Sequence, residues 1–371
     1  MTKPFTIFIF MTMLIVYTAS EKITHQNFRT ATQMLDSEAE QAKLRVGVLS
    51  LQFTSKFRNT SENLFKLAED QNIDPLVYYN KRSFIAKSYI SWLQDQGVEV
   101  VPVDINLSDE AINNILSTLN GIVLTGGANS LFNLNQTIML DGGNSTANLI
   151  YKPSYYLLKV GQIIEAAKHI NETRKFSVWA ICLGFESLLI SQSGNTKTLD
   201  DIDNLNYSAP IVFVDDEESD FGNYINGHAL MKDKMETQPL AYFTHKYGFL
   251  TESFKNNRQL SENFRIVATS VSKQQKDIVA LVEHKTLPFI ASQYHPEKNK
   301  YETNKGYNIN HSAEAIEASN LMAKYFIETM DDWRYQDQQP IEDIYDVNPV
   351  IEFGPTKMFT KIIVLNSEGF E

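Results

Sequence analysis

Cysteine is almost missing from this chain of 371 residues: Cys182 is the single one. A lone thiol excludes an intrachain disulfide and a multi-cysteine zinc site, and leaves packing, chance or reactivity as its reason to exist. Positive charge is also short. The chain carries 33 Lys and Arg against 45 Asp and Glu, a formal net charge of −12 at pH 7, which argues against nucleic acid as a partner because counterion-release binding needs a basic face. Beyond residue 20 no segment is long and apolar enough to cross a bilayer, which takes about 20 residues, so no membrane partner is expected. Internal repeats and low-complexity tracts are absent too. What is present is ordinary for a globular protein: 43% hydrophobic and 21% charged residues, sufficient for a full core.

The first 20 residues read as an address. Lys3 is their only charge, an apolar run extends from Phe5 to Tyr17, and Thr18-Ala19-Ser20 supplies small residues where a signal peptidase cuts. Residues 21–42 form a polar leader. Seven N-x-[ST] sequons follow, at Asn59, Asn106, Asn135, Asn144, Asn171, Asn206 and Asn310; together they fit a secretory route, although each alone is weak. In that oxidising compartment, a protein with no disulfide that keeps one thiol invites a catalytic explanation.

From Leu44 the pattern alternates strand and helix. Leu44–Leu49, Val98–Val103, Gly121–Thr125, Phe176–Ile181 and Leu287–Tyr294 read as strands. Ser83–Gln96, stopping at Gly97, then the segment opened by Ser108, Tyr155–His169, Gly184–Ile190 and Ser312–Met330 read as helices. A polar insertion from Ala128 to about Lys152 is too rich in turn formers for a core element, and Lys361–Val364 reads as a terminal strand. Alternation of this kind predicts an α/β three-layer αβα sandwich over residues 43–330 with a mostly parallel central sheet and its site at the carboxyl ends of the strands; residues 331–371 would be an extension packed on it.

The chemistry-bearing residues fall at those strand ends. Cys182 stands at a strand-to-helix junction between Ala180 and Gly184, a sharp turn that lifts a nucleophile above the sheet. The helix after it points amide groups at the thiol and would favour thiolate. A lone Cys is ordinarily a packing residue; this position turns the reading towards a nucleophile. A thiol nucleophile needs a base. Of the seven histidines, His295 ends an apolar strand, and Glu297 two residues on is spaced to accept its Nδ1–H. Oxyanion donors are expected from the Leu183 N–H and from Gly126-Gly127 at another strand end.

Trp179-Ala180-Ile181-Cys182-Leu183-Gly184-Phe185-Glu186 and Gln293-Tyr294-His295-Pro296-Glu297-Lys298 resemble the nucleophile and histidine motifs of class I glutamine amidotransferase-like proteins, a flavodoxin-like fold. Among these, the chain is most similar to the gamma-glutamyl hydrolase family of lysosomal or secreted folylpoly-gamma-glutamate peptidases. Ser88-Tyr89, Val100-Val101-Pro102-Val103, Asn120-Gly121-Ile122 and Phe243-Thr244-His245-Lys246 extend the likeness over roughly residues 44–326. The resemblance implies Cys182 as nucleophile, His295 as base and Glu297 as its orienter, with Tyr89, Glu186, His245 and Gln293 lining the substrate cleft. It implies no metal, no cofactor, a folylpoly-gamma-glutamate substrate, a homodimer, and a lysosomal, vacuolar or extracellular location. The departure is Ala180, where the family usually has Gly; the elbow then requires a negative φ there. Lys246 and Lys298 are candidate cations for an anionic substrate. Two other readings stand: a glutaminase-type subunit of an amidotransferase, and a secreted binding protein of the same fold without turnover.

Overall fold

Arg45–Leu49 is buried at every position, as a strand covered on both faces must be, and the sheet grows outward from such runs. The computed structural model describes residues 43–54, 62–70, 74–80, 82–138, 148–194, 198–331, 348–353 and 359–366; the expected signal segment 1–20 and leader 21–42 lie outside them. The large sheet has eight strands in the order β11 (Val212–Phe213), β14 (Phe264–Val271), β15 (Asp277–His284), β16 (Phe289–Ser292), β8 (Ser177–Ile181), β5 (Gly121–Leu124), β1 (Arg45–Leu49) and β4 (Glu99–Val103). From β16 to β4 every pairing is parallel. From β11 to β16 every pairing is antiparallel, an extension the sequence pattern did not signal.

Side-chain alternation along β5 and β8 separates the two helical layers. Val123 pairs with Trp179 and Leu124 with Ala180, so each pair shares a face and the two faces are opposite. On the Trp179 face, its ring meets Trp92 at 5.6 Å and Phe326 at 5.7 Å, both edge to face. Those two rings come from helices Lys87–Gln94 and Ala313–Glu328. On the Leu124 face lies helix Leu183–Gln192, whose residues 183–190 are all buried. Its Gly184 has no room for a side chain, since a Cβ would sit 2.2 Å from the Leu124 carbonyl oxygen. Helices Asp109–Ser117 and Tyr155–Ile170 start at Ser108 and Ser154, whose hydroxyls accept from Ala111 N and Leu157 N.

A second, antiparallel sheet runs β17 (Val350–Glu352), β18 (Lys361–Asn366), β3 (Arg82–Ala86) and β2 (Leu51–Gln52). Residues 83–86, expected to open a helix, are therefore strand, and the helix begins at Lys87. Their partner lies more than 270 residues away (Ile362 opposite Ala86), where no local periodicity reaches. The polar insertion forms a hairpin, β6 (Phe132–Ile138) with β7 (Asn148–Pro153), separate from the large sheet. Two further pairs, β9 (Asp200–Asp201) with β13 (Tyr247–Gly248) and β10 (Tyr207–Ala209) with β12 (Ala241–Phe243), lie near the strand ends. Among the described residues no helix is long and apolar enough to cross a membrane.

Candidate active site

Parallel pairing brings the carboxyl ends of β5, β8 and β16 to one edge, with Ile181 opposite Ser292 and Leu124 opposite Ala180. The next residues of each strand form the site. Cys182 leaves β8 with φ 51° and ψ −103° and caps the helix that follows. A non-glycine in that region stores on the order of 1–3 kcal/mol of strain, and the ladder bond from Cys182 N to Ser292 O, 2.8 Å, helps hold it. The bend sits at Cys182 itself. Ala180 lies within the strand and is absent from the positive-φ residues, so its methyl is tolerated, whereas Gly184 is sterically required.

His295 and Cys182 meet at Gly126. A Cβ on Gly126 would lie 2.6 Å from His295 Cε1, 2.8 Å from the Tyr89 hydroxyl and 3.0 Å from Cys182 Cβ, so only glycine lets the ring, the phenol and the thiol close around the backbone. His295 Nδ1 is 2.8 Å from Glu297 Oε1. With Nδ1–H donating to that carboxylate, Nε2 carries the lone pair, and Nε2 is buried with no partner. The Tyr89 hydroxyl accepts from Gly126 N at 2.8 Å and lies 3.5 Å from His295 Nδ1. The Gly126 N–H, expected to face an oxyanion, is thus engaged by Tyr89. Gly127 follows it, packed on Leu51, and the Leu183 N–H faces the thiol.

The electrostatics correct one expectation. Burial pushes the Cys182 thiol well above its ordinary range, and the Glu186 and Glu297 carboxyls add to this, outweighing Lys298 and the Leu183 N–H. The helix N-terminus therefore does not make a resting thiolate. Burial also lowers His295, against the pull of Glu297. For Glu297, burial acts upward, but His295 and Lys298 hold it below the ordinary carboxylate range. The resting arrangement is a neutral thiol beside a neutral imidazole anchored on an ionised carboxylate.

Glu186, Gln293 and His245 form a second buried polar group close to Cys182. Gln293 Nε2 donates to Glu186 Oε1 at 3.1 Å. His245 Nδ1 donates to the Tyr247 carbonyl at 2.7 Å. A Cβ on Gly248 would meet both Gln293 Oε1, at 3.0 Å, and His245 Cε1, at 3.5 Å. Burial raises Glu186 to about 8 and lowers His245 to about 4, so both are neutral between those values. Gln293 Oε1 and His245 Nε2 are buried without partners, two acceptors awaiting a donor.

Of the two candidate cations, Lys246 is exposed, but Lys298 is 1% exposed. Its Nζ lies 4.0 Å from Glu297 Oε1 and 3.9 Å from Glu302 Oε1. Lys298 is part of the charge structure behind the histidine rather than a surface cation. Glu302 and Tyr242 were not singled out in the sequence. Tyr242 carries the carbonyl that accepts from His295 N at 2.8 Å; nothing local marks it, whereas the four-residue spacing from Lys298 to Glu302 is a signal that could have been used. A groove of 530 Å³ lined by residues such as Asp109, Leu158 and Gln162 contains none of these side chains. Among the described residues no group of three or more His, Cys, Asp or Glu is arranged to hold a metal ion.

Residues 79–314 match the model of the class I glutamine amidotransferase family. Gamma-glutamyl hydrolase B of Dictyostelium discoideum is 27% identical over 296 residues, 77% of this chain and 78% of that protein. Probable gamma-glutamyl hydrolase 3 of Arabidopsis thaliana is 28% identical over 252 residues, 68% of this chain and 65% of that protein. Gamma-glutamyl hydrolase of Bos taurus is 27% identical over 266 residues, 71% and 75% of the two chains.

Proposed function

Because the chain belongs to the class I glutamine amidotransferase family, we propose that it is a cysteine hydrolase of γ-glutamyl amide bonds, acting on the γ-linked glutamate chains of folylpoly-gamma-glutamates. The observation that carries this reading is the closure of Cys182, His295 and Tyr89 around Gly126, with His295 Nε2 unpartnered and Nδ1 anchored on Glu297. The similarity to gamma-glutamyl hydrolases selects the bond.

The chemistry begins from a neutral pair. As Cys182 Sγ attacks the γ-carbonyl carbon, its proton passes to His295 Nε2, and Glu297 stabilises the imidazolium. The carbonyl oxygen, now anionic, takes hydrogen bonds from the Leu183 and Gly127 N–H groups, while Gly126 keeps its own on Tyr89 and contributes space. His295 returns the proton to the departing amine nitrogen and a thioester forms. Water, deprotonated by the same Nε2, then releases the γ-carboxylate and the free thiol. Gln293 Oε1 or His245 Nε2, both acceptors, can take the single amide N–H on the α-nitrogen of the γ-glutamyl unit, and neutral Glu186 adds a hydrogen-bond donor without repelling an anionic chain.

The test incubates the protein and Cys182→Ala with a γ-linked polyglutamate folate and, separately, with free glutamine, reading products by mass. Glutamate loss from the first substrate, abolished in the variant, is expected. Ammonia release from glutamine alone would replace this reading by a glutaminase-type subunit, and silence on both by a binding protein.

The secretory route is part of the same proposal, supported by the pattern of residues 1–20. Its sequons are unequal. The side-chain nitrogens of Asn171, Asn206 and Asn310 donate to the carbonyls of Ala167 and Phe176, of Gly306, and of Pro239, and that of Asn106 is buried, so glycans are expected at the other sequons. Glycopeptide mass spectrometry that finds these four occupied in folded protein would contradict this.

A further inference from the structure

Behind the histidine, one cation is buried between two carboxylates, and only one of these serves the imidazole directly. Lys298 Nζ has no hydrogen-bond acceptor; it lies 4.0 Å from Glu297 Oε1, 3.9 Å from Glu302 Oε1 and 4.8 Å from the centre of the Phe359 ring. Glu302, 1% exposed, is fixed from two further directions. Its Oε1 accepts from Ser88 Oγ at 2.8 Å, next to Tyr89, and its Oε2 accepts from Thr360 N at 2.6 Å. It therefore ties the turn bearing His295 to the helix bearing Tyr89 and to the segment that leads into β18.

A buried ammonium so close to Glu297 steadies that carboxylate, but its field also opposes protonation of the neighbouring imidazole. Hydrolysis by this pair requires the imidazolium in every turnover. We propose that Glu302 is a positioning residue of the reaction: its carboxylate offsets Lys298, so that the ammonium holds Glu297 in place without suppressing the charge that His295 acquires from Cys182. Glu302 reaches none of the reacting atoms. The inference rests on the reading of Cys182 and His295 as the reacting pair.

The charged and titratable groups facing His295 come from four places. Glu297, Lys298 and Glu302 follow it in the chain, Tyr89 comes from helix Lys87–Gln94, Cys182 from the head of helix Leu183–Gln192, and Tyr242 and His245 from β12 and its extension. Glu302 and Lys298 are opposite in sign and neither side chain hydrogen-bonds to Cys182 or His295, which makes them separable by substitution.

The experiment measures kcat, KM and the rate of Cys182 alkylation by iodoacetamide from pH 5 to 9 for the full chain, Glu302→Gln and Lys298→Met, with a γ-linked diglutamyl peptide as substrate. Glu302→Gln leaves Lys298 uncompensated and is expected to move the acid limb of kcat/KM down by about one pH unit, and to lower kcat several-fold with KM within about twofold. Lys298→Met is expected to move the same limb up by a comparable amount; it swaps the ammonium for an unbranched apolar chain and carries the test if Glu302→Gln does not fold. A packing defect would lower activity in both without opposed shifts. Shifts of the same sign, or none, overturn the proposal. Cys182→Ala is the control: undiminished turnover there means the reading of the site has failed, whereas a dead Cys182→Ala with an unmoved limb means that only the role of Glu302 has failed.

Discussion

Two buried polar groups flank Cys182, and they resolve burial in opposite ways. On one side the imidazole of His295 is backed by Glu297, Lys298 and Glu302, a row of alternating charges, each within 4.0 Å of a partner. On the other, Glu186, Gln293 and His245 are neutral, Glu186 raised to about 8 and His245 lowered to about 4 by burial. The difference lies in the partners: Glu186 has an amide and His245 a backbone carbonyl, neither able to compensate a charge, so each surrenders its own. In the proposed mechanism His295 and Glu297 on the charged side pass the proton, and the neutral side holds the substrate by directed hydrogen bonds.

Removing the proposed nucleophile or the proposed base should have the largest effect. Cys182→Ala and His295→Ala should each lower kcat/KM by at least about 10³-fold, and little further when combined, because the two act as a unit; additive losses in the double variant would separate them. Glu297→Gln keeps shape but loses the charge that stabilises the imidazolium, and should cost about 10²-fold in kcat with little change in KM. On the neutral side the effect moves to binding. His245→Ala should raise KM about tenfold and alter kcat less, since it removes an acceptor the substrate occupies before and during reaction; a loss confined to kcat would place His245 in the proton path.

The smallest effect is the sharpest. Glu186 is protonated in the folded protein up to about pH 8 but ionises near 4.5 when unfolded, so over that window the native state binds the extra proton and stability falls as pH rises. His245 runs the other way. Its folded value of about 4 lies below the ordinary 6.5, so stability rises with pH between those values and is lost on acidification. Glu186→Gln should therefore be nearly as active as the parent below pH 7 and gain in thermal stability relative to it from pH 5 to 8. A gap in melting temperature that stays constant across that range would mean that Glu186 is ionised.

The centre of the site was legible in the sequence because its signals are local. Cys182-Leu183-Gly184 states a strand, a bend and a helix in consecutive residues, and His295-Pro296-Glu297 sets a base and its anchor two positions apart. What failed was whatever burial decides. The thiol was expected to ionise at a helix N-terminus, yet the surroundings that enclose it outweigh that field. Lys298 read as a candidate cation for the substrate, but its ammonium is enclosed by its chain neighbours Glu297 and Glu302 and by Phe359 from a distant segment. Likewise Ser83–Ala86 carries apolar residues that suit helix or strand, and the choice is made by β18, which no window around residue 83 contains.

That pairing has a consequence for how the protein is made. β3, which leads directly into the helix of Tyr89, receives β18 as neighbour only when Lys361–Asn366 has been synthesised. At about 5–20 residues per second, its outer edge waits roughly 15–55 s on the ribosome, long after Cys182 and, for part of that time, His295 have emerged. Over the last part of that interval the nascent chain holds Cys182, His295 and Glu297 beside an open strand edge, the kind of surface that recruits other chains. A message truncated just before codon 361 would encode the complete chemistry and leave that edge permanently unclosed, so its product should be found with chaperones or in aggregates rather than as a slow enzyme.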